Sequence, residues 1–229
     1  MTSIFRRALG DEFDRLHPRL QHRFDLSSQD DRAELGHGVM TTTRLTGLAK
    51  GPLTVLGRRR RLEFPPSGHD VRFDLANHAY LDTLGRETFL YSRRFRRTDR
   101  VLRFDDTMVF SERRGCLVNY LGSHQDVAAE LWLSVGAAGE LIMTGGGQRA
   151  FIGPVRVSVP SPLATRATVV EQWDEARDRF TISVTIELLG RTLSHYEGWF
   201  VSSDATRDPG AGPYGVPAGL RPDRERAAD

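Results

Sequence analysis

The chain has 229 residues, of which 39% are hydrophobic and 27% charged, and its formal net charge at pH 7 is +2. This composition is typical of a soluble globular domain with a sizeable core. The single cysteine, Cys116, excludes an internal disulfide and agrees with a reducing cytoplasm. No apolar run reaches the roughly 20 residues of a membrane span, and the first residues lack the apolar core of a signal peptide, so we expect a cytoplasmic protein.

The first 24 residues carry the clearest helical pattern. Apolar side chains recur at helical spacing along one stripe, and Ser3 is suited to cap the first turn. Gly10 and Pro18 interrupt this pattern. We therefore expect two short helices within residues 3–24.

The rest of the chain consists mainly of short segments in which apolar and polar residues alternate. Such alternation predicts antiparallel strands with one buried face. The predicted strands lie at residues 41–43, 71–82, 85–95, 101–110, 116–118, 127–135, 151–159, 167–173, 180–188 and 193–201.

The order of these segments predicts the architecture. Strands and helices do not alternate as in a Rossmann or TIM fold, and hairpin-type turns separate the strands; TGGGQR at 144–149 is interpreted as such a turn. We predict a mainly β fold, an antiparallel up-and-down barrel or a strongly curved, lipocalin-like sheet with N-terminal helices covering one side. The predicted domain covers residues 3–203, and residues 204–229 are predicted to form a disordered tail.

Four consecutive arginines, Arg58–Arg61, form the densest basic block. Such a block can mark a nucleic-acid or anionic partner. No aromatic stacking motif or helix-turn-helix pattern accompanies it, so we interpret it as a solvated strand edge or turn and predict no nucleic-acid partner.

Several polar residues share a face with apolar residues on the predicted strands. Burying such groups costs free energy unless they are paired, hydrated or in contact with a ligand. Two interpretations stay open: a ligand cavity with a few convergent polar groups, or structural ion pairs at the open end of a barrel. A carboxylate left alone in an apolar cavity would have a raised pKa and would suit acid–base chemistry. The polar residues concerned are Asn77, Glu87, Arg93, Asp106, His195 and Glu197.

The stretch NYLGSHQD, residues 119–126, ends one predicted strand with several polar side chains. Alternation places Tyr120 and His124 on one face, and the buried parity changes after Gln125. Gly122 is the residue that would permit the bend this change requires. Two roles stay open for these side chains, contact with a ligand at the rim of the cavity and local hydrogen bonding that closes the bend.

Several long blocks, in order along residues 3–202, resemble a bacterial family. They include SIFRRALGDEFDRLHPRLQHRF, FDLANHAYLDTLGRETFLYSRRF, RFDDTMVFSERRGCLVNYLGSHQDVAAEL and HYEGWF. The family is DUF4166, a domain of unknown function. The resemblance implies a domain that occurs alone or joined to saccharopine-dehydrogenase-like or short-chain-dehydrogenase-like NAD(P)-binding domains. It implies no assigned activity or catalytic residues.

The leading hypothesis is a small-molecule-binding barrel that holds a hydrophobic metabolite and acts as a cofactor-free cyclase or isomerase of bacterial secondary metabolism. Asp106 or Glu87 would be the acid or base, and Tyr120 and His124 would donate hydrogen bonds to a carbonyl or enolate. The ligand-binding side chains would be Asn77, Tyr91, Arg93, Gln125, Trp132, Glu197 and Trp199.

The alternative hypothesis is a non-catalytic protein. It would be a lipid or polyketide carrier, or an accessory protein of an NAD(P)-dependent dehydrogenase. The sequence contains no recognisable nucleophile motif and no metal-ligand spacing, which favours this class. We expect neither a cofactor nor a metal ion under either hypothesis.

Overall fold

A computed structural model describes residues 1–46, 60–152 and 155–206. Helix α1 covers Ile4–Leu9, a 3-10 helix covers Gly10–Arg15, and helix α2 covers Pro18–Phe24. Ser3 caps α1, because its hydroxyl accepts a hydrogen bond from the backbone N–H of Arg6. None of the helices in these ranges is long and apolar enough to cross a membrane.

The strands follow these helices. In chain order they are β1 (Arg32–Leu45), β2 (Gly68–Leu81), β3 (Glu87–Arg96), β4 (Val101–Ser111), β5 (Cys116–Leu121), β6 (Val127–Val135), β7 (Leu141–Ile152), β8 (Val155–Ser158), β9 (Arg166–Asp174), β10 (Arg179–Leu188) and β11 (Arg191–Thr206).

Ten of these strands close into an antiparallel barrel. Strands β1 to β7 pair in chain order, β7 pairs with β9, and β9, β10 and β11 follow until β11 pairs with β1. Each strand of this circuit therefore has a hydrogen-bonded neighbour on both sides. Strand β8 is an addition that pairs with the second half of β7. The predicted up-and-down barrel is confirmed.

The prediction of a turn at TGGGQR was wrong, because residues 144–149 lie inside β7. Gly145 lies opposite Leu131 of β6, and a Cβ atom at Gly145 would stand 3.0 Å from the backbone nitrogen of Ala167. The close approach of two backbones therefore leaves little room for a side chain at this position. At the other limit of the domain, β11 continues to Thr206 and past the predicted boundary, and residues 207–229 of the predicted tail lie outside the described residues.

The N-terminal helices close one end of the barrel, which we call the helix end. The ring of Phe5 packs against those of Phe24 and Phe89, with centroids 4.5 and 5.1 Å apart. At the opposite end, which we call the far end, the inward-facing side chains of Leu121 and Ile186 are only partly buried. The helix end is thus sealed by apolar packing, while two inward-facing side chains at the far end, those of Leu121 and Ile186, stay partly exposed to solvent.

The inner face of the sheet carries the main core, and the outer face carries a second buried cluster. Phe73, Phe95 and Phe200 belong to the inner core together with the apolar side of the helices. Val118 and Tyr120 belong to the outer cluster. Burial alone therefore does not show that a side chain lies inside this barrel.

Candidate binding site in the barrel interior

Arg93 on β3 and Asp106 on β4 form a buried ion pair inside the barrel. Each lies on the same strand face as apolar residues of the core, so packing of those residues directs both charges inward. The guanidinium of Arg93 also lies over the rings of Tyr91 and Phe104, 4.6 and 4.5 Å from their centroids. The alternation predicted this inward placement for Asp106, Arg93 and Tyr91, whose functional role stays a prediction.

Three polar atoms at this ion pair have no hydrogen-bond partner in the described part of the chain. They are Oδ1 of Asp106, Nε of Arg93 and Oδ1 of Asn119, which lies on the inner face of β5. The residues Arg93 and Asn119 are 7% and 8% exposed, so a small part of each side chain reaches solvent. Buried polar atoms in native proteins are nearly always paired, so this position calls for two hydrogen-bond donors and one acceptor from a bound molecule or from water.

The ionisation of the pair is set by its burial. Burial raises the pKa of Asp106 to about 6, and the charge of Asp105 acts in the same direction, whereas Arg93 and Asn119 oppose the rise. Burial alone would lower the pKa of Arg93, but Asp106 together with Tyr196, Tyr91 and Glu171 more than offsets this, and the pKa is raised. Arg93 therefore stays charged while Asp106 exchanges a proton near pH 6, within the range that acid–base chemistry uses.

A second polar cluster, the Arg23 cluster, joins the helices to the barrel. The guanidinium of Arg23 donates hydrogen bonds to Glu34 on β1, to Glu171 on β9 at 3.1 Å and to the hydroxyl of Tyr91 at 3.0 Å. Tyr91 in turn donates to Glu171 at 3.1 Å. Because the ring of Tyr91 also contacts Arg93, this residue links the two polar clusters of the interior.

The charges of the Arg23 cluster do not balance, because two carboxylates share one guanidinium. Burial alone would lower the pKa of Arg23, but Glu34 and Glu171 more than offset this and the pKa is raised. Burial raises the pKa of Glu171, and Glu34 adds to the rise against the opposing effect of Arg23. Neutral donors complete the shell of Glu34, which accepts hydrogen bonds from Asn77 at 2.6 Å and from Ser202 at 2.5 Å.

A cavity of about 360 Å³ opens at the helix end, between α2, the β9–β10 hairpin and the last residues of β11. The buried side chains of Arg23 and Glu34 contribute to its wall. We call it the helix-end cavity. Its other lining residues include Arg19, His22, Trp173, Asp178, Phe180 and Asp204.

Within the stretch NYLGSHQD, Asn119 and Leu121 face inward, whereas Tyr120 and Gln125 lie on the outer side of the barrel and His124 lies in a turn, so the predicted cavity contacts of Tyr120, His124 and Gln125 were wrong. Tyr120 lies opposite Thr107 on the outer face, and Gln125 donates a hydrogen bond to the hydroxyl of Thr107 at 3.1 Å. His124 lies in the turn between β5 and β6, with Nδ1 3.1 Å from the hydroxyl of Ser123. The alternative interpretation, local hydrogen bonding around a bend, describes these residues better.

The bend itself forms where the sequence predicted it. Gly122 adopts a left-handed φ of 73°, and a Cβ atom there would stand 2.5 Å from the carbonyl oxygen of Arg60. Arg60 and Arg61 are the described half of the arginine block, and they form ion pairs with Asp126 and Asp105. The other half of the block lies outside the described residues.

Trp132, Glu197 and Trp199 were also predicted wrongly as cavity contacts. Trp132 is 49% exposed and lies on the outer face of β6, because its neighbour Leu131 faces the core. On β11 the even-numbered residues face inward, so Glu197 and Trp199 lie outside, where Arg179 covers the ring of Trp199 at 4.6 Å. The polar residue His195 shares this outer face and lies 3.0 Å from the hydroxyl of Thr185.

Glu87 and Asn77 lie inside the barrel but are engaged by protein groups. Glu87 accepts hydrogen bonds from the backbone N–H and the hydroxyl of Ser28, at 2.5 and 2.6 Å. It fastens the segment between α2 and β1, which does not favour the predicted acid–base role. Asn77 belongs to the Arg23 cluster through its hydrogen bond to Glu34.

Sequence reasoning missed the three charged members of the Arg23 cluster. Glu171 alternates with Val169 and Trp173 on β9, so the criterion that singled out Asp106 would have found it. Arg23 interrupts the apolar stripe of α2 and carried a comparable signal. Glu34 gave no such signal, because it lies outside the segments that the sequence predicted as strands.

The described residues include no group of three or more His, Cys, Asp and Glu side chains arranged to hold a metal ion. No described contact bears on a dehydrogenase partner, which stays a prediction.

Comparison with known proteins extends these observations. The family model described as "Domain of unknown function (DUF4166)" matches residues 16–200. The uncharacterized protein YndH of Bacillus subtilis (strain 168) is 27% identical over 202 residues, which cover 87% of this chain and 97% of YndH. The family match confirms the resemblance predicted from the sequence, and since it spans most of the chain, this protein belongs to the DUF4166 family.

Proposed function

We propose that the barrel binds an amphipathic small molecule in its interior, with the polar end of the molecule at Arg93, Asp106 and Asn119. The observation that carries this proposal is the convergence of three unpaired, buried polar atoms at an ion pair on the inner face of the barrel. Apolar side chains of the same inner face, such as Met108 opposite Asn119 and Leu131 on β6, suit the rest of such a ligand. Entry from the far end is supported by the partial exposure of inward-facing side chains there.

The proposal is tested by native mass spectrometry of the purified protein. We expect an added mass that disappears on denaturation and is lost in Asp106→Asn, which removes the charge at nearly constant shape. The matched control is Asp105→Asn, because Asp105 is an equally buried carboxylate on the opposite face of the same strand. Retention of the added mass by Asp106→Asn, or no added mass in the unaltered protein, would contradict the proposal.

One observation favours a catalytic version of this function. Asp106 has a pKa of about 6, and its Oδ1 has no hydrogen-bond partner among the described residues, which suits proton transfer to or from a bound ligand. The corresponding reaction is a cofactor-independent isomerisation or cyclisation. Its test is to incubate the protein with the released molecule and to look for a new product, with a rate that changes around pH 6. A molecule returned unchanged would leave binding as the whole function.

A further inference from the structure

The helix-end cavity is separate from the Arg93–Asp106 site and has a different chemistry. Two of its walls are the aromatic rings of Trp173 and Phe180, which meet edge to face with centroids 4.8 Å apart. Charged side chains complete the lining. Such a combination of aromatic faces and carboxylates is the usual surrounding of a bound organic cation.

Carboxylates outnumber arginines around this cavity. The count takes the lining residues together with the ion-pair partners of Arg23 and Asp204. The three arginines are Arg19, Arg23 and Arg32. The four carboxylates are those of Glu34, Glu171, Asp178 and Asp204. With His22 of the lining counted as neutral, an entering cation would meet an excess of negative charge among the described residues, part of it buried where water screens it weakly.

The side chain of Arg19 already shows how a cation fits. Its guanidinium lies over the ring of Trp173, 4.9 Å from the centroid, and 3.6 Å from a carboxylate oxygen of Asp178. Arg19 and Asp178 are 59% and 83% exposed, and their distance is long for a hydrogen-bonded pair. Exposed pairs of this kind are weak, so a ligand can displace Arg19 at little cost.

We propose that the helix-end cavity binds a small organic cation, a guanidinium or ammonium compound, between the ring of Trp173 and the carboxylate of Asp178. The ligand takes the position that the guanidinium of Arg19 occupies in the free protein. The remainder of the ligand lies against Phe180 in the cavity. Arg19 then acts as an internal competitor, and its removal strengthens binding.

The test uses phenylguanidinium and its uncharged analogue phenylurea as probes. Trp132→Phe and Trp199→Phe replace two outer-face tryptophans, which leaves Trp173 as the only tryptophan of the chain. We expect saturable quenching of Trp173 fluorescence by phenylguanidinium, with affinity at least about tenfold above that for phenylurea. Equal affinity for the two probes, or no quenching, would overturn the proposal.

The variant series separates this mechanism from a general effect of charge. Arg19→Gln should bind phenylguanidinium severalfold more tightly, and Asp178→Asn severalfold more weakly. Arg15→Gln is the matched control, because Arg15 is also 59% exposed but lies outside the lining of the cavity. Weaker binding by Arg19→Gln, or equal strengthening by Arg15→Gln, would contradict the proposed position of the cation. The interior site can fail its own test without affecting these outcomes.

Discussion

Glu34 and Glu171 approach the guanidinium of Arg23 from two strands that are not neighbours in the barrel, β1 and β9. One buried positive charge therefore fastens α2 to two separate parts of the wall. The arrangement explains how helices with few turns of their own hold a fixed position at the helix end.

We expect Arg23→Met to lower the free energy of unfolding by about 3–5 kcal/mol, because it leaves two buried carboxylates without their cation. Urea denaturation followed by circular dichroism measures this loss. Arg15→Met is the control, and its exposed side chain predicts a change within about 0.5 kcal/mol. Adding Glu171→Gln to Arg23→Met should recover part of the loss, since it removes one of the unpaired charges. Equal effects of Arg23→Met and Arg15→Met would show that the cluster does not stabilise the fold.

The raised pKa of Asp106 predicts that the free energy of unfolding depends on pH. Its pKa is about 6 in the folded protein against 3.8 as the ordinary value, so the folded state holds the proton more tightly. The bound proton stabilises the folded state fully below pH 3.8, the ordinary pKa. This stabilisation disappears as the pH rises through about 6, the pKa in the folded protein. As the pH rises over this interval, the free energy of unfolding of the unaltered protein should therefore fall by up to about 3 kcal/mol relative to that of Asp106→Asn.

Urea denaturation at several pH values from the acidic to the neutral range measures this difference between the two proteins. Asp14→Asn is the control, because the side chain of Asp14 is 72% exposed and its surface ion pair with Arg6 contributes little to stability. Parallel profiles of Asp106→Asn and the unaltered protein would show that Asp106 does not hold a proton in the interior.

The contact between β1 and β11 depends on glycine. A Cβ atom at Gly38 would stand 2.1 Å from the carbonyl oxygen of Trp199 and 2.6 Å from Cβ of Phe200. We expect Gly38→Ala to lower the melting temperature more than Gly85→Ala. Gly85 has a left-handed φ of 74°, but a Cβ atom there would meet nothing within 4 Å, so its replacement costs roughly 1 kcal/mol from backbone strain alone. Similar melting temperatures of Gly38→Ala and Gly85→Ala would mean that β1 and β11 can move apart at Gly38 without loss of stability.

Replacing Phe5 tests whether apolar packing holds the N-terminal helices on the helix end. Phe5→Ala removes a buried ring that contacts Phe24 and Phe89, and we expect a loss of about 3–5 kcal/mol in the free energy of unfolding. Hydrogen exchange should show faster opening of α1 and α2 than of the central strands. Leu84→Ala is the control, because Leu84 is 55% exposed in a turn. Uniform acceleration across the barrel would show that the helices do not open independently.

The alternation of residues predicted the barrel and the inward position of Asp106 and Arg93, but it could not assign the faces of β11. Both faces of that strand carry aromatic residues, Trp199 on one and Tyr196 and Phe200 on the other. The face is decided by the pairing partner, because Gly38 lies opposite Phe200 and leaves room for its ring inside the barrel. Such a choice depends on a strand far away in the sequence.

Tyr120 shows a second limit of sequence reasoning. It is almost completely buried, yet it lies on the outer face, packed near Phe151 with ring centroids 6.4 Å apart. A pattern of apolar residues indicates that a face is covered but not what covers it. Interior and exterior clusters give the same signal in a single sequence.

The pairing of β1 with β11 also determines how the chain must fold. Arg32 lies opposite Thr206, so the last bonds of the circuit join residues from the two extremes of the barrel sequence. A pairing between strands so far apart in the chain forms slowly, because the entropy of closing a long loop is lost before the contacts form. Until β11 has been synthesised and has found β1, the edges of β1 and β10 stay unpaired and can bind other strands. The newly made chain is therefore most exposed to aggregation just before its barrel closes.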